Sequence, residues 1–248
     1  MTTAARRAVV TGGGRGIGRA IAAALTRAGH EVVVLGRTAA TLEQAVEAGD
    51  AAAWRVVDVA DAGSLARGLD GLAVDVLVNN AGIADSAPFA RADLAFFRRL
   101  MAVNFESVVT ATHAVLPGMV ERGFGRVISV ASVAGLKGYP YVSAYCASKH
   151  AVIGLTRALA QEVAKTGVTI NAVCPGYVDT DLVREGAARI AAKTGRPAAE
   201  IADGFHRGNP MGRFVLPGEV AGAVLWLAGD AASGVNGQAI AVDGGETP

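Results

Sequence analysis

Seven short apolar runs, separated by stretches with helical spacing, constrain the fold of this chain more than any other feature. The runs are rich in valine and lie at residues 8–11, 31–35, 53–57, 75–79, 126–130, 168–173 and 238–242. Most are apolar throughout rather than alternating, which is typical of strands buried on both faces. After the first run, Ile17, Ile21 and Ala28 follow helical spacing, and Gly29 favours a helix end. This alternation predicts an α/β fold with a doubly wound parallel sheet, in a single domain over residues 1–248.

The composition argues against several classes of partner. The chain has 248 residues, of which 52% are hydrophobic and 18% charged, and its net charge of +1 gives no reason to expect nucleic acid. No apolar run reaches the roughly 18 residues that a membrane span needs, and the polar start at residues 1–7 does not form a signal peptide. Cys146 and Cys174 do not make a disulfide framework. We therefore expect a cytoplasmic protein with neither a membrane nor a nucleic acid as its partner.

One segment, residues 181–213, interrupts the alternation. It is more charged than the rest, contains Pro197 and Pro210 and shows no strand pattern. In an otherwise regular α/β chain, such an insertion is a candidate lid over a substrate. Its basic residues would suit a phosphorylated carrier, although interspersed acids also allow them to be ordinary solvated charges.

A glycine-rich turn follows the first predicted strand and opens the first predicted helix. It has the spacing T-G-x-x-x-G-x-G, with Gly12, Gly16 and Gly18, and does not follow the pattern G-x-G-x-x-G. Glycines allow the backbone to approach a pyrophosphate, and a helix N-terminus favours its charge. The turn, with Arg15 and Ile17 inside it, therefore predicts a Rossmann-like dinucleotide site, while a merely flexible turn is the alternative.

The end of the second predicted strand bears on which dinucleotide binds. Gly36 stands where a carboxylate would bind the ribose 2′-hydroxyl of NAD, and Arg37 follows it. Two guanidinium groups, those of Arg15 and Arg37, suit a 2′-phosphate instead. We predict a preference for NADP(H), with NAD(H) possible. The alternative for either arginine is a solvated surface charge.

Tyr145 and Lys149 carry the candidate chemistry. In a helix, residues four apart share a face and lie about 6 Å apart along the axis. A cation beside a phenol favours loss of its proton, so the pair could exchange a proton near neutral pH. Ser132 precedes them after the fifth predicted strand, whereas the competing Ser129 lies on the strand itself. Alone, Tyr145 would be an ordinary amphipathic-helix residue. The combination favours a catalytic site.

These motifs together resemble the short-chain dehydrogenase/reductase family over essentially the whole chain. Besides the glycine turn, Ser132 and the Y-x-x-x-K pair, the matching motifs are Asp58-Val59, Asn79-Asn80-Ala81-Gly82, Asn104 and Pro175-Gly176. The segment 171–178 is similar to that of β-ketoacyl, acetoacetyl-CoA and polyketide ketoreductases and of 3-hydroxybutyrate dehydrogenases.

The resemblance implies a role for each matching catalytic residue. Tyr145 would be the acid in ketone reduction and the base in alcohol oxidation, and Ser132 would hydrogen-bond the substrate oxygen. Lys149 would lower the pKa of Tyr145 and bind the nicotinamide ribose. Asn104 would hold a water that links Lys149 to solvent, unless it merely caps or kinks its helix. Since serine and tyrosine polarise the carbonyl, no metal is expected.

The expected cofactor site combines the turn with residues implied by the resemblance. Asp58 would meet the adenine edge, residues 79–82 the adenosine side, and residues 175–178 with Thr180 the nicotinamide. The complete set is Gly12, Arg15, Gly16, Ile17, Gly18, Arg37, Asp58, Val59, Asn80, Ala81, Gly82, Tyr145, Lys149, Pro175, Gly176, Val178 and Thr180. Candidate substrate-pocket residues are 84–87, 133–139, Tyr141 and Tyr177.

The implied reaction is hydride transfer between NADP(H) and a ketone or secondary alcohol. The leading expectation for the substrate is a 3-oxoacyl thioester, carried on coenzyme A or an acyl-carrier protein, or a related ketone. The alternative is an NAD-dependent alcohol or hydroxy-acid dehydrogenase working oxidatively. The complete catalytic set argues against a non-catalytic nucleotide-sensing module, and chain length and glycine spacing argue against an epimerase or dehydratase. The resemblance also implies a homotetramer.

Overall fold

The computed structural model describes residues 6–247, apart from the side chains of Leu182, Lys193 and His206, and contains a seven-stranded sheet. Every pairing in the sheet is parallel. The strands are β1 (Arg7–Thr11), β2 (Glu31–Gly36), β3 (Ala53–Val56), β4 (Val76–Asn79), β5 (Gly125–Val130), β6 (Val168–Pro175) and β7 (Ala239–Val242), in the spatial order β3-β2-β1-β4-β5-β6-β7. All seven predicted strands are confirmed. The prediction of a single domain over residues 1–248 extends past the described residues and stays a prediction.

Helices cover both faces of the sheet. They are α1 (Gly16–Arg27), α2 (Ala39–Glu47), α3 (Ala62–Leu69), α4 (Leu94–Met101), α5 (Ser107–Glu121), α6 (Ser143–Glu162), α7 (Asp181–Thr194), α8 (Ala198–His206) and α9 (Pro217–Ala228). Val10 packs into the core beneath α1 and α9, whereas its neighbour Val9 packs into the core beneath α3 and α5. Successive strand side chains point to opposite faces, so a strand covered on both sides must be apolar throughout. The doubly wound α/β fold is confirmed.

The topology places the candidate motifs at one edge of the sheet. In a parallel sheet all carboxyl ends meet at the same edge, and ligands bind there where the strand order reverses. The reversal lies between β1 and β4, which are neighbours. The glycine turn follows β1, Asn80 follows β4, Ser132 follows β5 and Gly176 follows β6.

Residues 181–213 form a loop that contains α7 and α8 and, as predicted, no strand. Both ends of the loop are tied together, because Val178 and Val215 form an isolated parallel bridge. Within it, the N–H of Val215 donates to the carbonyl of Tyr177 at 2.9 Å, and that of Asp179 to the carbonyl of Val215 at 2.9 Å. The two helices therefore emerge from a closed base beside the carboxyl edge of the sheet.

Two kinds of feature are absent from the described residues. Among residues 6–247, no helix has the length and apolar character needed to cross a membrane. Nor does this part of the chain gather three or more histidine, cysteine, aspartate or glutamate side chains that could hold a metal ion.

Candidate active site

A cleft of about 720 Å³ runs along the carboxyl edge of the sheet, from the glycine turn to α6. Its volume is in the range of small-molecule sites, about 300–1,000 Å³. Every predicted catalytic and cofactor residue lines it except Asn79 and Asn104. Ser129 is buried within β5 and does not line the cleft, whereas Ser132 does. The fold thus gathers into one cleft residues that are distributed from position 12 to position 180.

The glycine turn has a backbone that only glycine accommodates. Gly12 and Gly16 have φ angles of +66° and +54°. At Gly18, a Cβ would lie 2.2 Å from the carbonyl oxygen of Gly12. Helix α1 begins at Gly16, and Arg15 provides no side-chain cap to its first turn. An uncapped helix N-terminus against a glycine backbone is suited to bind a pyrophosphate, so this end of the cleft fits a dinucleotide.

Asn80 fixes the turn against the end of β4. Its Nδ2 donates to the carbonyl oxygens of Thr11 at 2.9 Å and Gly12 at 3.2 Å. The N–H groups of Asn80 and Ala81 both donate to Thr11 Oγ1 at 3.0 Å. The expectation that Asn79 also lines this side is wrong. Its buried side chain donates to Thr112 Oγ1 at 3.3 Å, because successive strand residues face opposite sides.

The two arginines predicted to bind a 2′-phosphate lie in different surroundings. Arg37 is exposed at the rim of the cleft and has no partner among the described residues. Arg15 donates to Glu185 Oε1 on α7 at 3.1 Å, with both side chains about half exposed. Such exposed pairs contribute about 0.2–1 kcal/mol, so Arg15 can leave Glu185 at little cost. Arg37 is therefore the more available phosphate ligand.

Helix α6 carries Tyr145 and Lys149 on one face, as the spacing predicts. The Nζ of Lys149 lies 5.8 Å from the centre of the Tyr145 ring and donates to the carbonyl of Val130 at 2.9 Å. Ser132 opens a short 3₁₀ turn, where its Oγ accepts from the N–H of Ala134 at 3.1 Å. Its side chain also acts on Tyr145, lowering the pKa of the phenol. The three predicted catalytic side chains therefore meet in the cleft.

Gly135 explains how the serine comes so close to the helix. A Cβ at this position would lie 2.8 Å from the carbonyl oxygen of Lys149 and 2.8 Å from Cδ1 of Ile153. Both distances are shorter than a van der Waals contact. The 3₁₀ turn that carries Ser132 packs directly on the backbone of α6 because residue 135 has no side chain.

The electrostatics of the pair differ from the expectation. Burial raises the pKa of Tyr145 to about 12, although the Ser132 side chain opposes the rise. Burial also lowers the pKa of Lys149 to about 8. The net direction for Tyr145 is opposite to the expected lowering, because desolvation is the largest effect on the phenol. A lowering of the Tyr145 pKa by Lys149 itself stays a prediction. At neutral pH, the phenol keeps its proton, and most of the amine is charged.

Asn104 lies behind the cleft in a π-helical turn, Ala102–Glu106, that joins α4 to α5. It is 1% exposed, its Oδ1 accepts from the N–H of Ile83 at 2.8 Å, and its Nδ2 donates to Ser148 Oγ at 3.0 Å. A Cβ on Gly82 would lie 3.2 Å from Asn104 Oδ1 and 3.7 Å from Lys149 Nζ. Only a glycine separates the amide from the ammonium group. Single π-turns are frequent at functional sites, and the predicted water stays a prediction.

The far end of the cleft is mostly apolar and partly aromatic. The ring of Tyr177 stacks on Phe205 of α8, with centroids 4.8 Å apart and planes 3° apart. Tyr139 also lines the cleft, as predicted. Tyr141 does not line it. With a φ of +67°, Tyr141 is 66% exposed, and its carbonyl accepts from the N–H of Ala87 at 2.8 Å.

The sequence did not reveal Phe205 and Glu246 as site residues. Phe205 belongs to the predicted lid but follows no recognisable motif. Glu246 lies beyond β7, and it accepts a hydrogen bond from the hydroxyl of Tyr139. Each meets the site through contacts between residues far apart in the sequence. Only the period of α8, with Ile201 and Phe205 four residues apart, could have indicated an inward face.

The chain is similar to known proteins over nearly its full length. The model of the short chain dehydrogenase family matches residues 6–190. An acetoacetyl-CoA reductase of Rhizobium meliloti (strain 1021) is 37% identical over 97% of this chain and 98% of that protein. A galactitol 2-dehydrogenase of Cereibacter sphaeroides is 40% identical over 97% of this chain and 94% of that protein.

A solved structure shows the same fold. It is a crystal structure of an actinorhodin polyketide ketoreductase variant with NADPH. It is 34% identical to this chain, has a TM-score of 0.93, and the match covers 99% of both chains.

Proposed function

This chain belongs to the short-chain dehydrogenase family and is an oxidoreductase that acts on CH–OH and C=O groups; on that premise, we propose that it reduces a ketone, most typically a 3-oxoacyl thioester, with NADP(H). One observation carries the proposal. Ser132, Tyr145 and Lys149 meet in the same cleft as an uncapped glycine turn. Such a cleft can hold a dinucleotide at one end and orient a carbonyl at the other.

The cofactor would lie along the lining of the cleft. Gly12, Gly16 and Gly18 would approach the pyrophosphate, Asp58 the adenosine and Thr180 the nicotinamide. When bound, NADP(H) supplies or accepts the hydride. The guanidinium of Arg37, which has no partner in the described part of the chain, supports a 2′-phosphate, and so does the absence of a carboxylate at position 36.

The chain's own residues would handle the proton and the substrate oxygen. Tyr145 would donate its phenolic proton to that oxygen, and Ser132 would hydrogen-bond the same atom as negative charge develops. A Tyr145 pKa of about 12 keeps the proton available at neutral pH, which supports the reductive direction. Lys149 would supply the positive charge that stabilises the tyrosinate left behind.

The thioester class is supported by likeness and by the cleft. The acetoacetyl-CoA reductase and the actinorhodin ketoreductase named above are among the relatives of this chain. The apolar and aromatic far end would receive an acyl chain or ring. We also propose that residues 181–213 act as a lid, because their closed base places α7 and α8 at the cleft.

We propose a homotetramer by the same likeness, and light scattering at micromolar concentration tests it. A cytoplasmic location is supported by two buried cysteines, neither of which forms a disulfide.

Steady-state rates test the proposal directly. Acetoacetyl-CoA, acetoacetate and an aromatic ketone are offered with NADPH and with NADH, and we expect the highest kcat/KM for acetoacetyl-CoA with NADPH. Tyr145→Phe and Ser132→Ala should each lower kcat by at least about 100-fold, because each removes a group that acts on the transition state. Cofactor binding, followed by fluorescence of NADPH, should persist. Near-normal turnover in Tyr145→Phe would contradict the assignment.

A further inference from the structure

A carboxylate lies behind the substrate end of the cleft. The side chain of Glu246 is 5% exposed, although the residue is near the end of the chain. It accepts a hydrogen bond from the hydroxyl of Tyr139. Lys137 places its Nζ 3.5 Å from Glu246 Oε1 and donates to the Glu246 carbonyl at 2.9 Å. Both neighbours belong to the loop that joins the Ser132 turn to α6.

The chain segment around Glu246 is itself fixed. Asp243 accepts hydrogen bonds from the N–H groups of Gly245 at 3.0 Å and Thr247 at 2.8 Å. A Cβ on Gly244 would lie 2.1 Å from Oδ1 of Asn209, so the segment packs tightly on residues 181–213. Glu246 is therefore held between the cleft wall and the proposed lid.

The hydrogen bond decides what Tyr139 presents to the cleft. A phenol has one proton, and Tyr139 donates it to Glu246. Burial and the neighbouring carboxylate both raise the pKa of Tyr139, so the hydroxyl stays protonated and remains a donor. The proton of this hydroxyl is therefore donated to Glu246, a residue that does not itself line the cleft, whereas Tyr139 does.

The surroundings of the ring are mostly apolar. The apolar and aromatic side chains at this end of the cleft are Val142, Tyr177, Val183, Ile190 and Phe205. Charged residues line the cleft as well, among them Asp85 and Arg189, and each of these two contacts an opposite charge. Asp85 lies 2.7 Å from Arg99, and Arg189 lies 4.0 Å from Glu185. Because the proton of Tyr139 is donated to Glu246, the phenol oxygen can accept a hydrogen bond from a substrate hydroxyl but has no proton to donate to one.

We propose that Glu246 is a positioning residue for substrate specificity. By accepting the proton of Tyr139, it removes a hydrogen-bond donor from this wall of the cleft, so the enzyme selects carbonyl compounds with apolar substituents over polyhydroxylated ones. The inference rests on the proposed function and adds a substrate class to it. A galactitol 2-dehydrogenase is among the relatives, so the family likeness alone does not distinguish apolar from polyhydroxylated substrates.

Two ketones that share a carbon skeleton provide the test. 2-Pentanone and ribulose are both five-carbon 2-ketones, and only ribulose carries additional hydroxyls. Their kcat/KM ratio is measured with saturating NADPH in the wild type, Glu246→Gln and Glu246→Ala. Glu162→Gln, an exposed acid at the end of α6, is the matched control. Thermal melting confirms that each variant is folded.

The wild type should favour 2-pentanone. In Glu246→Ala, the Tyr139 hydroxyl is released and can pair with a substrate hydroxyl, so the ratio should fall about tenfold, within the range that one polar group produces. The fall should appear mainly in KM, with kcat changed less than about threefold, because the reacting atoms are untouched. Glu246→Gln retains an acceptor and should retain most of the preference.

A second background separates this role from a structural one. In Tyr139→Phe, no hydroxyl exists to be released, so adding Glu246→Ala should leave the ratio within about twofold of the Tyr139→Phe value. An unchanged ratio in Glu246→Ala, or an equal fall in the Tyr139→Phe background, would overturn the inference while leaving the proposed function intact. A wild type that reduces neither ketone, nor any carbonyl in the panel above, would remove both.

Discussion

Replacing Arg37 with glutamine tests whether this residue sets the proposed preference for NADPH over NADH. Arg37 is exposed at the cleft rim, has no partner among the described residues and follows Gly36 at the end of β2. A charge-assisted hydrogen bond contributes about 1.5–3 kcal/mol. Two unit charges 4 Å apart contribute about 1 kcal/mol in water and about 4 kcal/mol near a protein surface.

Because Arg37 is exposed, we expect the loss of binding free energy to lie at the lower end of this range, about 1.5–2 kcal/mol. This corresponds to a rise of roughly 10- to 30-fold in KM for NADPH. The KM for NADH should change less than about twofold, because NADH lacks the 2′-phosphate. Arg15→Gln should raise KM for NADPH by less, because Arg15 must first leave Glu185, its partner at 3.1 Å.

The assay is the initial rate of ketone reduction at fixed ionic strength, with each cofactor varied in turn. Arg27→Gln is the matched control, because this exposed arginine lies at the end of α1 and does not line the cleft. Raising the salt concentration should reduce the difference in KM for NADPH between wild type and Arg37→Gln, because screening weakens an exposed contact. An equal rise in KM for NADPH and for NADH, or no rise for either cofactor, would refute the assignment of Arg37 to the phosphate.

Two further predictions concern the catalytic residues. Gly135→Ala should lower kcat/KM by about 100-fold and destabilise the protein by about 1–3 kcal/mol, since its Cβ would displace the Ser132 turn from α6. Gly138→Ala, where a Cβ meets nothing within 4 Å, should leave both kcat/KM and the melting temperature near wild type. With a Lys149 pKa of about 8, kcat/KM for reduction should be level below that pH and fall as the charge is lost above it. A profile that stays level to pH 10 would contradict this role for Lys149, since Tyr145 stays protonated throughout that range.

The strands and the motifs could be predicted because each depends on local information. A strand covered on both faces has to be apolar throughout, and this property marks most of the seven runs. The motif residues follow strand ends, and parallel strands bring those ends to one edge. Asn79 and Tyr141 show the limit of this reasoning. Asn79 belongs to β4 rather than to the loop after it, and its amide faces Thr112 instead of the cleft. Tyr141 lies close to Tyr139 in the sequence, but its φ of +67° could not be predicted from that neighbourhood.

The pKa of Tyr145 could not be predicted for a different reason. The distance between Tyr145 and Lys149 follows from helical spacing, but the desolvation of both groups depends on packing contributed by distant parts of the chain. Val130 supplies the carbonyl that Lys149 bonds at 2.9 Å, and the Ser132 turn is brought onto α6 by the missing side chain of Gly135. Because burial is the largest effect on the pKa of Tyr145, the phenol keeps its proton at neutral pH in the folded protein.

Substrate choice depends even more strongly on contacts between distant residues. The wall of the cleft is set by Tyr139 with Glu246, 107 positions apart in the sequence, and by the stack of Tyr177 on Phe205. None of these pairs has a spacing or a motif that a single sequence could reveal. Catalytic residues, in contrast, are constrained by a chemistry that limits both their types and their spacing. The sequence therefore indicates the reaction, whereas the proposal for the substrate class depends on the C-terminal segment lying behind the cleft.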